Sequence, residues 1–206
     1  MKTNEIQSNK ITLINGEARF IDNHTVAVGD DQYTADHIII ATGSEPIMPD
    51  IPGIEYAINS DGFFAMSDLP NKVCIVGSGY IGVEIAGVLN QLGSKVSLVM
   101  RHQYPLRRFD TMLSESLYEI MQQKDIEIIT NAKVVEIQNN QENKKTVICE
   151  QGEKIAELDQ VIFAVGRKAR TDHLNLAATD IKVEKNGIIH TDVYQNTNVD
   201  HIHAVG

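Results

Sequence analysis

An apolar run that ends in closely spaced glycines constrains the fold of this 206-residue chain more than any other feature. The run Val73-Cys-Ile-Val76 leads directly into Gly77, Gly79 and Gly82, and a helical pattern continues to Leu92. A strand, a tight glycine turn and a helix in this order are typical of a Rossmann-type unit. In such a unit the first glycine permits the turn, the second lets a pyrophosphate approach the backbone, and the third lets the helix pack closely. An ordinary strand-to-helix turn with chance glycines is the alternative interpretation.

The residues around this motif predict a three-layer, Rossmann-like α/β fold with a strand meander. Apolar runs bounded by glycine and polar residues predict strands, and spacings of three and four predict helices. In chain order the patterns predict a strand over 72–76, a helix over 80–92, a strand over 95–100, a helix over 112–124, a strand over 126–130, meander strands over 133–137, 145–149 and 154–158, and a strand over 161–166.

The front of the chain has a different pattern. Alternating apolar and polar residues predict short antiparallel strands over 11–14, 18–21 and 25–28. The continuous apolar run over 37–43 predicts a strand buried on both faces of a parallel sheet. The proline-rich stretch over 44–70 predicts a crossover between domains, with a short helix near 61–66 and a boundary near residue 46.

Two segments of the chain repeat one pattern. Asp36-His-Ile-Ile-Ile-Ala-Thr-Gly and Asp159-Gln-Val-Ile-Phe-Ala-Val-Gly share an acid, a polar residue, an apolar run and Ala-x-Gly. Two similar nucleotide-binding units are therefore expected, and because no glycine motif precedes the first copy, we expect the chain to be truncated at its front. The predicted division is residues 1–46 as the end of the first unit, 47–168 as an inserted Rossmann-like domain, and 169–206 as an incomplete return to the first unit.

Arginines follow the second predicted strand, at the position that distinguishes the two nicotinamide dinucleotides. NAD sites place an Asp or Glu there to bind the ribose 2′-hydroxyl. This chain instead has Arg101, followed by Arg107 and Arg108. Guanidinium groups form charge-assisted hydrogen bonds with a 2′-phosphate, which a carboxylate would repel. The sequence therefore favours NADPH, and a solvated basic loop is the alternative interpretation.

Composition excludes several classes of function. A formal net charge of −10 disfavours nucleic acid as a partner. No run is long and apolar enough to predict a membrane span, and the first residues do not resemble a secretory signal, so we expect a cytoplasmic protein without membrane contact. Cys74 and Cys149 fit neither a disulfide framework nor metal-ligand spacing, so reduced thiols and no metal site are expected.

Three segments together resemble the class I pyridine nucleotide-disulfide reductases, most closely those of the glutathione reductase type. They are Gly77-Ser-Gly-Tyr-Ile-Gly-Val-Glu-Ile-Ala-Gly-Val-Leu, Val99-Met-Arg-His-Gln-Tyr-Pro-Leu-Arg-Arg-Phe-Asp and Phe163-Ala-Val-Gly-Arg. The resemblance covers nearly the whole chain. It implies an NADPH-binding domain inserted into part of a similar FAD-binding domain, with hydride passing from NADPH to FAD, then to a protein disulfide and then to glutathione disulfide.

The resemblance also implies roles for individual residues. Tyr80 would cover the nicotinamide pocket beside the flavin, and Glu84 would pair there with a lysine. Ala18, Thr42 and Gly43 would lie near FAD. The NADPH-binding set would be Gly77, Ser78, Gly79, Tyr80, Ile81, Gly82, Glu84, Arg101, Arg107 and Gly166.

The chain departs from this family pattern in several ways. It has neither the FAD glycine motif nor the CxxxxC redox cysteines, and it stops at Gly206, before the family's ribityl-binding Asp and its C-terminal interface domain with the catalytic His and Glu. His201 and His203 are interpreted as ordinary strand-flanking residues, and Gly82 stands where NADPH-specific members often have Ala. No catalytic residue is therefore expected in this chain. We expect an inactive fragment of an enzyme that is a homodimer at full length.

Two alternatives to this interpretation stay open. One is a stand-alone or degenerate dinucleotide-binding module without catalysis. The other is a different reductase of the same family, of the mercuric, trypanothione or lipoamide type, since the residues that select the disulfide substrate lie largely outside this chain.

Overall fold

The computed structural model describes residues 8–206, and its strands and helices are short and closely spaced. In chain order the strands are β1 Ala18–Phe20, β2 Thr25–Val28, β3 Asp31–Thr34, β4 Ile38–Ile40, β5 Ser44–Pro46, β6 Ile58–Asn59, β7 Lys72–Val76, β8 Lys95–Val99, β9 Glu127–Ile129, β10 Val134–Asn139, β11 Lys145–Cys149, β12 Lys154–Leu158, β13 Gln160–Phe163, β14 Arg167–Ala169 and β15 Ile202–Ala204. The α-helices are α1 Ser60–Ala65, α2 Tyr80–Gln91 and α3 Thr111–Gln123. Single 3-10 turns occupy Ile54–Tyr56, Asp172–Leu174 and Leu176–Ala178.

The chain forms two compact units. One comprises Pro46–Arg167, and the other comprises the described residues up to Glu45 together with Lys168–Gly206. Each unit has its own sheets and its own buried apolar core.

A five-stranded parallel sheet, in the order β6-β13-β7-β8-β9, forms the centre of unit 46–167. The register places Val76 of β7 opposite both Phe163 of β13 and Val99 of β8. The carboxyl ends of these three neighbouring strands therefore end at one edge of the sheet. The parallel sheet with α2 as its crossover helix confirms the predicted α/β, Rossmann-type class.

Both faces of this sheet are covered, because successive side chains of a strand point to opposite faces. Val73 and Ile75 pack in one cluster with apolar residues of α2 and α3, such as Leu89 and Met121. Cys74 and Val76 pack in another cluster with residues of the antiparallel meander β10-β11-β12. The resulting three layers of helices, sheet and meander confirm the predicted layer arrangement.

In the other unit, β4 pairs in parallel with β15, while β1, β2 and β3 form a separate antiparallel sheet. Phe20 of β1 and Ile40 of β4 lie in the same buried cluster, which joins the two sheets. The strands β5 and β14 pair with each other.

The structure corrects three expectations at the front of the chain. Residues 11–14 form no strand, and β3, whose four residues are all exposed, was not predicted. An apolar pattern over 11–14 predicts a strand only if a partner strand is available, whereas polar β3 forms because the turn at Gly29 brings it back alongside β2. Ile39 is 66% exposed, so β4 is not buried on both faces, since core residues cover only one side of its two-stranded sheet.

No helix within residues 8–206 is both long enough and apolar enough to cross a lipid bilayer.

Candidate functional site

A cavity of about 470 Å³ lies at the carboxyl ends of the parallel strands in unit 46–167. The glycine loop after β7, the start of the loop after β8 and the segment after β13 all contribute to its wall. Ligand sites of open parallel sheets lie outside the carboxyl ends of their strands, so this is the position expected for a nucleotide. The predicted site residues that line the cavity are Gly77, Ser78, Gly79, Tyr80, Ile81, Arg101 and Gly166.

Glycine occupies positions 77, 79 and 82 of the loop for three different physical reasons. Gly77 has φ 114°, and a β-carbon there would lie 2.4 Å from the carbonyl oxygen of Ala164. A β-carbon on Gly82 would lie 2.1 Å from the carbonyl oxygen of Gly77. Around Gly79 nothing lies within 4 Å of the corresponding point. In this backbone a side chain at 77 or 82 would therefore force the loop to shift, whereas at 79 the absent side chain leaves open space beside the cavity.

The N-terminus of α2 faces this open space without a side-chain cap. Gly79 is its N-cap residue, no side chain accepts a hydrogen bond from its first amides, and its first turn contains no acidic residue. By contrast, the side chain of Asn59 caps α1 and that of Asp110 caps α3. The first N–H groups of a helix have no intrahelical acceptor and carry the positive end of the helix dipole, so α2 offers them to an anion in the cavity.

The cavity wall is basic although the whole chain is acidic. Arg101, His102, Lys133 and Arg167 line it, and none of its described lining residues is a carboxylate. Arg107 does not line the cavity, but its guanidinium lies 3.1 Å from Nε2 of His102. Arg101 and Arg107 both lie in the loop after β8, and both are exposed. The wall can therefore bind a ligand that carries several negative charges.

The remaining predicted residues of the NADPH set occupy α2 and its surroundings. Tyr80, the first residue of α2, is 56% exposed. Glu84 is exposed one turn further along α2 and does not line the cavity, while Gly82 is buried under the loop. Gly166 has φ 137°, which a residue with a side chain rarely adopts.

The residues assigned to FAD lie in two different parts of the other unit. Ala18 begins β1, whereas Thr42 and Gly43 follow β4. Gly43 has φ 69° with nothing within 4 Å of a β-carbon position, and a β-carbon on Gly206 would lie 3.9 Å from its Cα. The parallel strands β4 and β15 therefore lead into neighbouring glycines at their carboxyl ends.

Neither cysteine has the environment of a redox-active thiol. Cys74 and Cys149 are both free and buried in the core beneath the sheet. Burial raises the pKa of each thiol above its usual range. Because the thiolate is the reactive form, a raised pKa makes both thiols unreactive. Both cysteines are core residues, and the expectation of reduced thiols agrees with this environment.

The two histidines near the end of the chain make structural contacts. His201 stacks on His24 with ring centroids 4.2 Å apart, and its Nε2 lies 2.7 Å from the carbonyl oxygen of Asn23. Nδ1 of His203, in β15, lies 3.0 Å from Oδ1 of Asn196. These contacts fix the chain around β15.

Sequence reasoning missed His102, Lys133 and Arg167 as residues of the cavity wall. His102 and Arg167 follow β8 and β13 by only a few residues. Because the ends of adjacent parallel strands meet at one sheet edge, strand-end position is the signal that could have found them. Lys133 follows β9, the edge strand of the same sheet, as closely as Arg167 follows β13, so the same signal applies to it, although it stands directly before β10 of the meander.

Comparison with known proteins gives consistent matches. Residues 2–206 match the family model described as pyridine nucleotide-disulphide oxidoreductase. The chain is 42% identical over 176 residues to a protein named glutathione reductase from Yarrowia lipolytica, which covers 84% of this chain and 37% of that protein.

Solved structures with the same fold come from Escherichia coli. The chain superposes on the HOCl-induced flavoprotein disulfide reductase RclA with a TM-score of 0.88 and 31% identity, over 100% of this chain and 48% of RclA. A Cu(II) complex of RclA gives a TM-score of 0.89 at the same identity and coverage. The chain thus spans less than half the length of each of these proteins.

Proposed function

The chain belongs to the pyridine nucleotide-disulphide oxidoreductase family, and from this premise we propose that residues 46–167 bind NADPH for a flavin-dependent disulfide reductase. The observation that carries the proposal is the open space beside Gly79 at the uncapped N-terminus of α2. A diphosphate fits there, because backbone amides and the helix dipole stabilise its charge and no β-carbon blocks its approach.

The choice of NADPH rests on the loop after β8. Arg101 lines the cavity and Arg107 contacts His102, which also lines it. A 2′-phosphate on the adenosine ribose would receive charge-assisted hydrogen bonds from these side chains. No carboxylate among the described lining residues is available to accept hydrogen bonds from the 2′-hydroxyl of NADH.

The nicotinamide end of the ligand is assigned to the first turns of α2. NADPH, when bound, supplies the hydride that reduces the flavin. Tyr80 lines the cavity and is exposed enough to cover a nicotinamide ring, and Glu84 lies one turn along the same helix. Ser78, Ile81 and Gly166 line the same cavity.

We assign FAD to the other unit, and the glycine pair at its sheet edge fits this assignment. Gly43 and Gly206 lie close together beyond the ends of β4 and β15 and carry no side chains, which permits close approach of a ligand there. Thr42 lies at this edge, and Ala18 is assigned to FAD by family resemblance. The units 46–167 and 1–45 with 168–206 are thus proposed as NADPH-binding and partial FAD-binding domains.

Glutathione disulfide is the proposed substrate of the whole enzyme. Support comes from 42% identity to a glutathione reductase, against 31% identity to RclA. The whole enzyme is proposed to be a cytoplasmic homodimer without nucleic-acid or membrane partners. Because Cys74 and Cys149 are buried and free, we expect the 206-residue chain by itself not to reduce glutathione disulfide with NADPH. Steady turnover by the purified chain would contradict this assignment.

The cofactor assignment is tested by calorimetric titration of NADPH and NADH. Replacing Arg101 and Arg107 with Ala should weaken NADPH binding by about 100-fold, because two charged hydrogen-bonding partners of the phosphate are removed. NADH binding should change little. The matched control replaces Lys182 and Lys185 with Ala, because both are exposed, lie in the other unit and carry the same total charge. Equal losses for both dinucleotides would refute the assignment.

A further inference from the structure

The loop between β8 and α3 carries Arg101 and Arg107, yet most of its residues are exposed. A flexible exposed loop would bind a phosphate weakly, because ordering two arginine side chains and their backbone costs entropy. Contacts that hold the loop in place before the ligand arrives therefore matter for affinity.

Leu106 is the point at which this loop is held to the glycine loop. Its N–H donates to the carbonyl oxygen of Ser78 at 2.9 Å. Ser78 lies between Gly77 and Gly79, where the diphosphate is proposed to bind. In a dinucleotide the spacing between the diphosphate and the 2′-phosphate is limited by the ribose, so the two loops must keep a matching separation. The Leu106–Ser78 hydrogen bond joins the two loops directly and so limits that separation.

Leu106 adopts a conformation that its own side chain disfavours. Its φ is 52°, in the left-handed region, which costs a residue with a β-carbon free energy that its surroundings must offset. Two hydrogen bonds to its carbonyl oxygen do so. The N–H of Phe109 donates at 2.8 Å, and the hydroxyl of Ser114 donates at 3.3 Å.

Ser114 is the member of this group that comes from outside the loop. It lies in the first turn of α3, is only 5% exposed, and does not line the cavity. Its own N–H donates to the carbonyl oxygen of the N-cap residue Asp110 at 3.0 Å, as a helical residue should, so its hydroxyl is the group that reaches Leu106. The hydroxyl thus connects the rigid helix to Leu106.

We infer that Ser114 is a positioning residue for NADPH recognition, which acts through Leu106 to hold the arginine loop in register with the diphosphate loop. This inference rests on the proposed function, because it presupposes that the arginines bind the 2′-phosphate. Ser114 itself touches no nucleotide.

The test compares Ser114→Ala with Ser116→Ala in the purified protein. Ser116 is exposed two residues further along the same helix, so it controls for the loss of a hydroxyl from α3. The ratio of the NADH to the NADPH dissociation constant should fall about fivefold in Ser114→Ala and stay unchanged in Ser116→Ala. A ratio that stays unchanged in Ser114→Ala, including one that results from equal losses for both dinucleotides, would overturn the positioning role. If Ser114→Ala does not fold, Ser114→Cys keeps the side-chain size with only a weak donor and is judged by the same ratio.

A second measurement separates this inference from the proposed function. Without any dinucleotide, trypsin should cut after Arg107 or Arg108 several times faster in Ser114→Ala than in Ser116→Ala, because the loop is released. Equal rates would overturn the connection between Ser114 and the loop. If the parent protein shows no preference for NADPH over NADH, the proposed function fails, whatever the cleavage rates are.

Discussion

At the scale of single residues, the glycines at positions 79 and 82 have separable roles. A β-carbon on Gly79 would enter open space, whereas a β-carbon on Gly82 would meet the backbone of Gly77. Substitution by Ala adds the same methyl group to both and should therefore have different consequences for folding and for binding.

Gly82→Ala should destabilise the protein and weaken NADPH and NADH equally. Its β-carbon would lie 2.1 Å from the carbonyl oxygen of Gly77, so the diphosphate loop must shift. Gly87 lies in the same helix with nothing within 4 Å of its β-carbon position, and Gly87→Ala should raise stability by up to about 1 kcal/mol. Thermal unfolding and titration with both dinucleotides measure the difference. A stable Gly82→Ala protein with parental affinity would show that the loop accommodates the methyl group.

Gly79→Ala should leave the melting temperature nearly unchanged and greatly reduce affinity for both dinucleotides. Its φ of −70° suits alanine, and the added methyl group meets no protein atom within 4 Å, so only a bound diphosphate would be displaced. The comparison is between melting temperature without ligand and dissociation constants by titration. Parental affinity would place the diphosphate elsewhere.

Most of the proposed NADPH residues could be predicted from the sequence because they are consecutive or follow strand ends. Gly77 to Gly82 form one local turn, and Arg101 follows the strand β8. Lys133 also follows a strand end, that of β9, but only the folded structure shows that the segment leading into the meander lines the cavity.

At the scale of elements, an ion pair connects the meander to the parallel sheet. The carboxylate of Asp159, just before β13, accepts a hydrogen bond from Nζ of Lys144 and another from the backbone N–H of Lys72 at 2.9 Å. Lys72 is the first residue of β7. These contacts give a role to the acid of the second repeat segment, whereas Asp36 of the first is exposed.

Asp159→Asn should reduce stability near neutral pH and lose that effect in acid. The Lys144 hydrogen bond holds the pKa of Asp159 below its usual range. Its contribution is therefore present above the unfolded pKa of about 4 and disappears as pH falls through the lower folded pKa. The same contact raises the pKa of Lys144, so while Asp159 is ionised the contribution persists through neutral pH and is lost only as pH rises through the raised, alkaline pKa of folded Lys144.

Urea unfolding at about pH 6 and about pH 3 measures the first effect. The deficit of Asp159→Asn relative to the parent should be smaller at the lower pH. Glu119→Gln, the same type of change on an exposed position of α3, should give no deficit at either pH. A deficit for Asp159→Asn that does not depend on pH would exclude the ion pair as its cause.

The strand β7 and the helix α2 lie within one residue of their predicted bounds, whereas the polar strand β3 was not predicted. The strand β7 and the helix α2 have patterns that are satisfied by local burial. The strand β3 is exposed at every residue and exists only because it pairs with β2. Residues 11–14 have the opposite property, an apolar pattern without a partner strand.

At the scale of the whole molecule, the buried cores do not mix residues of the two units. The two clusters on either face of the parallel sheet lie entirely within residues 46–167, and the third lies entirely in the other unit. A core that is complete within one segment allows that segment to fold by itself.

A polypeptide of residues 46–167 should therefore unfold in one cooperative transition and bind NADPH. Ligand binding to the folded state alone raises the melting temperature, so NADPH should raise it more than the same concentration of NADH does. Calorimetric scans with each dinucleotide provide the measurement. A segment without a cooperative transition would show that the remaining residues are needed for folding.

The sequence by itself determined the Rossmann-type unit, since strand, glycine turn and helix are specified by neighbouring residues whose pattern and backbone requirements are local. It also determined the arginines after β8 and the resemblance to one reductase family. Only the tertiary structure decided that Gly82 packs against Gly77, that Ser114 reaches Leu106, and that Lys133 joins a basic cavity wall. The physical reason is that these contacts depend on how strands and helices pack in three dimensions, and local sequence patterns do not encode that packing.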